Sequence, residues 1–312
     1  MRKGIDQKIS VIIPVKNQEN KIGTCLEAVF NQTLSPLEVI IVDGHSTDKT
    51  VDKAKIFPVS ILYEDYHTRA GACQIGVESA KGTFVAFTDA DCIPEKDWLE
   101  NLIKEFDNGI VGVGGGIKNI GVGLWEKSIN MAMGTFLGSA NSIQGRFFLD
   151  KRYVNSISGC NSMYYKKDIL DVGGFDPSLP TAEDTDLNKK LCKIGKLLYT
   201  PNAVISHNHM RGMKQFGKRM YEYGFGRAKA RLWDLQVLPP ISIGLLFMSL
   251  FLTKWLFLGM ISIYILMIAI IGVKSSIQER KLDYIISIPT IFVVEHGMYT
   301  LGFWNGLFYS RS

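Results

Sequence analysis

Thr83-Phe84-Val85-Ala86-Phe87-Thr88-Asp89-Ala90-Asp91-Cys92 is an apolar run that ends in two carboxylates one residue apart. The run predicts a buried strand, and the acids fall in the loop that leaves it. Upstream the same pattern recurs. Ile9-Ser10-Val11-Ile12-Ile13-Pro14-Val15 and Glu38-Val39-Ile40-Ile41-Val42-Asp43 read as buried strands, and Val59–Tyr63 as a third, shorter one. Between them Glu19–Gln32 carries Ile22, Leu26, Val29 and Phe30 at helical spacing, Ser46-Thr47-Asp48 offer caps to a helix from Lys49, and Ala70–Ala80 reads as a helix closed by Gly82. Strand and helix alternating in this way predict an α/β fold, a mostly parallel Rossmann-like sheet with helices on both faces. Such sheets bind ligands at the carboxyl ends of their strands, where Asp43, Asp89 and Asp91 all fall.

Two acids leaving a buried strand suit a hard divalent cation, Mg²⁺ or Mn²⁺, that carries the phosphates of a nucleotide. Breaking a bond to a nucleotide diphosphate needs charge stabilisation of the leaving diphosphate, which Asp89 and Asp91 can serve through a metal. Transfer also needs a base for the attacking hydroxyl, and Asp184 is the candidate. Asp184 lies in Pro180-Thr181-Ala182-Glu183-Asp184-Thr185-Asp186-Leu187, where Thr181 is a candidate cap for a helix running to Cys192. The plainer alternative is that Glu183, Asp184 and Asp186 only complement a helix dipole. Asp43 has its own plain alternative as a turn residue. Asn161, in Ser158-Gly159-Cys160-Asn161-Ser162, either contacts donor sugar or acceptor or bonds backbone in a turn. His207 and His209 flank Asn208 after the strand Ala203–Ser206. A His-x-His pair on one side of a strand end is a candidate ligand set, with His207 favoured as the further metal ligand.

From Ile9 to His209 the chain resembles the family 2 glycosyltransferases, inverting enzymes with the GT-A fold. The resemblance is carried by Val11-Ile12-Ile13-Pro14-Val15-Lys16-Asn17, Val42-Asp43-Gly44-His45-Ser46-Thr47-Asp48, Asp89-Ala90-Asp91, Gly159-Cys160-Asn161, Gly173-Gly174-Phe175-Asp176 and Glu183-Asp184. It implies that the turn Pro14, Val15 and Asn17, together with Asp43, holds the nucleotide base. It further implies that Asp89 lies near the ribose, that Asp91 ligates the metal and that Asp184 is the general base. Asn161 and Glu183 are assigned to donor sugar or acceptor, and a UDP-sugar is the favoured donor. Many relatives carry Ala-Arg-Asn ahead of a glycine where this chain has Cys73-Gln74-Ile75-Gly76. The nearest arginine, Arg69, is not counted among the site residues.

The C-terminal third changes character. Ile241–Val273 is apolar apart from Lys254, too long for one span and short for two. Lys254-Trp255 suits a headgroup-level turn, so a helical hairpin (241–253 and 255–273) is expected, followed by a third span, 284–309, carrying Glu295-His296. The plain reading of that pair is a structural polar contact with the hairpin. The domain plan is therefore a catalytic domain over 1–210, a basic amphipathic interfacial segment over 211–236 and an all-α membrane region over 237–312. Arg211, Lys214, Lys218, Arg219, Arg227, Lys229 and Arg231, interleaved with Phe216, Tyr221, Tyr223, Phe225 and Trp233, suit anionic lipid. This stretch accounts for the net charge of +5. Because it leads directly into membrane spans, it argues against nucleic acid as a partner. The basic residues before the first span and at Lys274, Arg280 and Lys281 predict a cytoplasmic catalytic domain, as does an N-terminus without an apolar signal segment.

Five cysteines without a Cys-x-x-Cys read as free thiols, with Cys92 and Cys160 as small apolar fillers rather than a zinc site. The expected partners are a nucleotide-diphosphate sugar, a lipid-linked or glycan acceptor, and membrane lipid. Two rival readings are a polyprenyl-phosphate sugar synthase, whose anionic nucleophile needs no base, and a non-catalytic membrane scaffold.

Overall fold

The computed structural model describes residues 7–140, 142–143, 145–208 and 212–309. By internal contacts the chain forms two compact units, Met1–Asn119 with Phe147–Asn208, and Ile120–Arg146 with His209–Ser312.

The first unit contains β1 (Ile9–Val15), α1 (Ile22–Phe30), β2 (Glu38–Asp43), α2 (Thr50–Ala54), β3 (Ser60–Tyr63), α3 (Arg69–Ser79), β4 (Phe84–Thr88), β5 (Cys92–Pro94), α4 (Trp98–Ile103) and β6 (Ile110–Ile120). After the intervening helices α5 (Leu124–Met133) and α6 (Phe136–Ser139) of the second unit, it continues with β7 (Arg152–Val154), β8 (Asn161–Tyr165), α7 (Lys166–Asp171), α8 (Glu183–Leu191) and β9 (Lys196–Asn208). The sheet order is β3-β2-β1-β4-β8-β6-β9-β5, with β7 also on β9. The strands β3, β2, β1 and β4 are parallel, whereas β8 runs antiparallel to both β4 and β6, and β9 antiparallel to β5 and β7.

The parallel strands are apolar without alternation because both faces are covered. Val11, Ile13 and Val15 of β1 join the core shared with α1 and α4, while Ile12, on the opposite face, meets α3 at Gly76. Of the residues Ser46-Thr47-Asp48 offered as caps, Asp48 is the one that meets the start of α2: its carboxylate accepts from the Thr50 N–H (3.0 Å) and the Thr50 hydroxyl, while Ser46 turns back to Asp43. One local expectation is corrected. The strand expected over Ala203–Ser206 is the end of a 13-residue β9, long enough to serve three neighbours.

The second unit adds α9 (Met213–Lys229), α10 (Leu238–Leu252), α11 (Lys254–Glu279) and α12 (Tyr284–Tyr309) to α5 and α6. Three helical stretches, Leu235–Leu252, Lys254–Glu279 and Tyr284–Tyr309, are long and apolar enough to cross a membrane. The first two separate at Thr253, whose backbone is extended and whose hydroxyl accepts from the Trp255 N–H. The pair α9 and α12 packs backbone to backbone. A methyl group added to Gly302 would fall 2.0 Å from the Tyr221 carbonyl oxygen, and one on Gly224 would fall 2.0 Å from that of Tyr299. Small residues permit such an approach between helices. This contact gives α9 a protein-facing side. One face, with Phe216, Gly217, Met220 and Gly224, is buried in the protein, and Arg227 is buried with Asp234 and Gln236 as partners. Lys214 and Lys218 stay exposed, while Arg211 and His209 lie outside the described residues. Of the polar pair in α12, His296 bridges two elements. A carbonyl only accepts, so Nε2 donates to Leu137 O (3.0 Å), leaving Nδ1 to accept from the Tyr264 hydroxyl of α11 (3.0 Å). This is the structural contact with the hairpin.

Candidate active site

Topology brings the chemistry to one edge of the sheet. The strands β1, β2 and β4 run the same way, so the loops after Val15, Asp43 and Thr88 leave at the same end. Antiparallel β8 starts there, Asn161 opposite Thr88, which sets Gly159 and Cys160 beside the Asp89 loop. The pairing of Cys92 with His207 brings the end of β9 to the same place.

The first two loops interlock. The Asn17 side-chain oxygen accepts from the Thr47 N–H (2.8 Å), and the Asn17 N–H donates to the Ser46 hydroxyl (2.8 Å). Asn17 and His45 both have positive φ, 53° and 59°. Such turns are tolerated by asparagine, whose side chain bonds nearby backbone. Asp43 is buried and spends its carboxylate on the Ser46 N–H (2.9 Å) and hydroxyl (2.5 Å), so its visible task is to hold this turn. Pro14 is partly exposed and Val15 buried beside it.

Asp91 is the carboxylate that meets the histidine. Its Oδ1 lies 3.2 Å from His207 Nε2, and its Oδ2 is 3.8 Å from the Lys21 ammonium. Burial works against charge on the His207 imidazole, but the hydrogen bond it donates to Asp91 and the surrounding negative groups outweigh it and raise its pKa. This carboxylate, already drawing an ammonium, and the imidazole beside it form a donor set that fits a divalent cation.

Asp89 does something different. Its Oδ1 accepts from Arg69 Nη2 (2.7 Å) and Nε (3.2 Å). The same guanidinium donates to Glu183 Oε1 (2.6 Å) and to the Gly159 carbonyl (3.0 Å). Arg69 opens α3, with Thr68 as its cap, and so sits at the same sheet edge. Arg69 does not occupy the position where many relatives carry their arginine, and nothing in the sequence marks it as a site residue. Cys73, in the segment that stands there, is buried, and burial pushes its thiol up to about 12. Planar, permanently charged arginine is suited to tying two carboxylates and a carbonyl together.

Glu183, assigned to sugar or acceptor, is buried on Arg69. Burial pushes its carboxyl up, Arg69 counters, and the charge of Asp184 adds to the rise. Asp184 is half-buried at the start of α8. Its Oδ2 accepts from the Gly159 N–H (3.1 Å) and its Oδ1 from the Thr185 N–H (2.6 Å). Gly159 thus joins Arg69 through its carbonyl and Asp184 through its N–H. The expected cap is corrected: the residue before α8 is Ala182, left-handed at φ 65°, and Thr181 lies one position too early. Of the two readings of Asn161, the structure shows the backbone-bonding one. It is fully buried, donating to Gly116 O (2.9 Å) and Ala203 O (3.0 Å) and accepting from Trp98 Nε1 (2.8 Å). It ties three elements and has no atom open to a sugar. The Gly173-Gly174-Phe175 turn is fastened to α3 by the Phe175 N–H, which donates to the Gln74 side-chain oxygen Oε1 (2.9 Å).

Comparison with known proteins identifies the family and the fold. The model of the glycosyl transferase family 2 matches residues 10–173. A protein of Methanococcus voltae, named dolichyl N-acetyl-alpha-D-glucosaminyl phosphate 3-beta-D-2,3-diacetamido-2,3-dideoxy-beta-D-glucuronosyltransferase, is 31% identical over 97% of this chain and 98% of its own length. Glycosyltransferase AglE of Haloferax volcanii is 28% identical over 72% of this chain and 75% of its own. Among solved structures, the mannosyltransferase PcManGT of Pyrobaculum calidifontis, in complex with GDP-Man and Mn²⁺, superposes with a TM-score of 0.62. It covers 94% of this chain and 87% of that one at 17% identity, a likeness of fold. The GT-A fold expected from the sequence is thereby shown. With the family model spanning more than half of its residues and a relative alike over nearly its whole length, the chain belongs to glycosyl transferase family 2 and is a glycosyltransferase.

Proposed function

We propose that this enzyme is membrane-anchored and inverting, and moves a sugar from a nucleotide-diphosphate sugar, with UDP-sugars favoured, to a hydroxyl of a lipid-linked saccharide. The observation that carries the reading is the Gly159 junction. It holds Asp184, through the N–H, beside the Arg69–Asp89 pair that leaves the strand end. Asp184 accepts the proton of the acceptor hydroxyl as that oxygen bonds to the anomeric carbon and the bond to the diphosphate breaks. Arg69 fixes Asp89 for the ribose, and the Asn17–Ser46 turn forms the wall for the base. Asp91 and His207 would hold a divalent cation, Mn²⁺ or Mg²⁺, which when bound stabilises the charge of the leaving diphosphate.

The acceptor class is supported by the M. voltae relative, whose name specifies a dolichyl-phosphate-linked N-acetylglucosamine. The three apolar helices and the exposed lysines of α9 support a site close to a membrane surface, with 211–236 at the interface and the catalytic domain on the cytoplasmic side. The test is transfer from radiolabelled UDP-sugars to polyprenyl-phosphate N-acetylglucosamine by the detergent-solubilised chain and by Asp184→Asn. Loss of transfer with retained nucleotide binding supports the hydroxyl acceptor. Full transfer by the variant, to polyprenyl phosphate itself, would replace it by a phosphate acceptor that needs no base.

A further inference from the structure

Cys92 Sγ, Cys160 Sγ and a ring nitrogen of His207 all lie within 4.8 Å of one another, and all three residues are buried. The cluster arises from three separate elements. Cys92 opens β5 and sits directly opposite His207 of β9, while Cys160 immediately precedes β8. No local Cys spacing announces it, because only the antiparallel half of the sheet assembles it. Cys160 Sγ also lies 3.3 Å from the Ser158 hydroxyl, and Cys92 Sγ 3.9 Å from Asp91 Oδ1.

Two thiols and an imidazole are the donor chemistry of a thiophilic, borderline-soft ion. Hard Mg²⁺ and Mn²⁺ prefer the oxygens next door. Three protein donors leave a fourth tetrahedral position for water or for the neighbouring carboxylate. His207 belongs to both donor sets, since its Nε2 is 3.2 Å from Asp91 Oδ1. A neutral imidazole has one lone pair to give, so it serves one ion at a time.

We propose that Cys92, Cys160 and His207 form a site for a thiophilic divalent cation of the zinc type, and that its occupancy removes His207 from the metal set used by the nucleotide. The second half rests on Asp91 and His207 being that set. On binding, the two thiols release their protons to solvent and bind as thiolates, with no change of oxidation state. The sugar-nucleotide site then carries its own zinc-responsive brake, one that tightens as free zinc rises.

The full detergent-solubilised chain carrying Cys192→Ser, which removes the exposed thiol, is titrated with Co²⁺ in a phosphine reductant. The expected spectrum has a thiolate-to-cobalt charge-transfer band and tetrahedral visible bands, saturating at one ion per chain and abolished by Zn²⁺. Both features are lost in Cys160→Ala and in Cys92→Ala and kept in Cys25→Ala. A spectrum without the charge-transfer band, or a band that survives both cysteine variants, overturns the site. The first of these outcomes is read on the unmutated cluster and does not depend on how a variant folds. One equivalent of Zn²⁺ is further expected to weaken Mn²⁺-dependent UDP binding by at least about tenfold, and not in Cys160→Ala. Unchanged UDP binding with the cobalt band present overturns the shared histidine. Absence of any Mn²⁺-dependent nucleotide binding overturns the nucleotide-metal reading instead and leaves the cobalt result standing.

Discussion

Arg69 and His296 are both largely withdrawn from water, and each gathers groups from distant parts of its own unit, yet they are built differently. Arg69 ties Asp89, Glu183 and the Gly159 carbonyl together, two formal negative charges against one positive, with Asp184 fastened to the same glycine. His296 bonds one hydroxyl and one carbonyl, neither of them charged, and both its ring nitrogens are used. The first cluster keeps an excess of negative charge at the strand ends and leaves Asp184 half-buried, in part open to solvent. The second closes on itself. A buried polar group tells little by its residue type, and its use follows from whether its network is charge-balanced and closed.

That contrast can be broken from either side. The largest effect belongs to Asp184→Asn. Loss of a general base is expected to lower turnover by about 10²–10⁴-fold, with nucleotide affinity unchanged, as read by single-turnover transfer and by nucleotide titration. Arg69→Ala comes next. Removing one partner of a buried ion pair leaves Glu183 and Asp89 uncompensated and is expected to cost about 3–5 kcal/mol, measured by denaturant unfolding of the solubilised chain. A loss as small as that of a surface pair would mean that the cluster is not the keystone of the site. Asp91→Asn is expected to weaken Mn²⁺-dependent stabilisation by UDP by about 10–100-fold in apparent metal affinity, and chelation with EDTA should mimic it in the native chain. The smallest effect is assigned to His296→Phe. It leaves the Leu137 carbonyl and the Tyr264 hydroxyl without their partner, at about 1–3 kcal/mol of stability, with transfer per folded molecule unchanged. A fall in turnover there would show that the closed network reaches the chemistry after all.

Much of the first unit was legible in the sequence because its signals are local. The runs Ile9–Val15, Glu38–Asp43 and Phe84–Thr88 are strands by composition, and their acids mark strand ends. What the sequence hid depends on distance. Arg69 meets Glu183 across 114 positions, and no periodicity in α3 announces it. Asn161 had two readings of equal standing, and burial against Trp98, Gly116 and Ala203 decided between them. The cap expected of Thr181 failed because Ala182 adopts positive φ, a backbone choice that a residue type other than glycine seldom advertises. In the second unit composition marked the apolar helices. The glycine contacts that press α9 onto α12 read in sequence as nothing more than scattered small residues.

The position of α5 has a consequence for how the chain is made. Its residues Ile129 and Ala132 complete an apolar cluster with Ile288, Ile291 and Phe292 of α12, and the Ser128 hydroxyl bonds that of Ser287, 159 positions further along, at 2.7 Å. During synthesis α5 therefore emerges long before its partner exists. The long loop must close late, after the sheet of the first unit has already become available to fold. A nascent chain halted before Tyr284 would hold a sheet with its site residues in place and a naked apolar helix. Release from the ribosome thus becomes a step in maturing the second unit rather than an event that follows it.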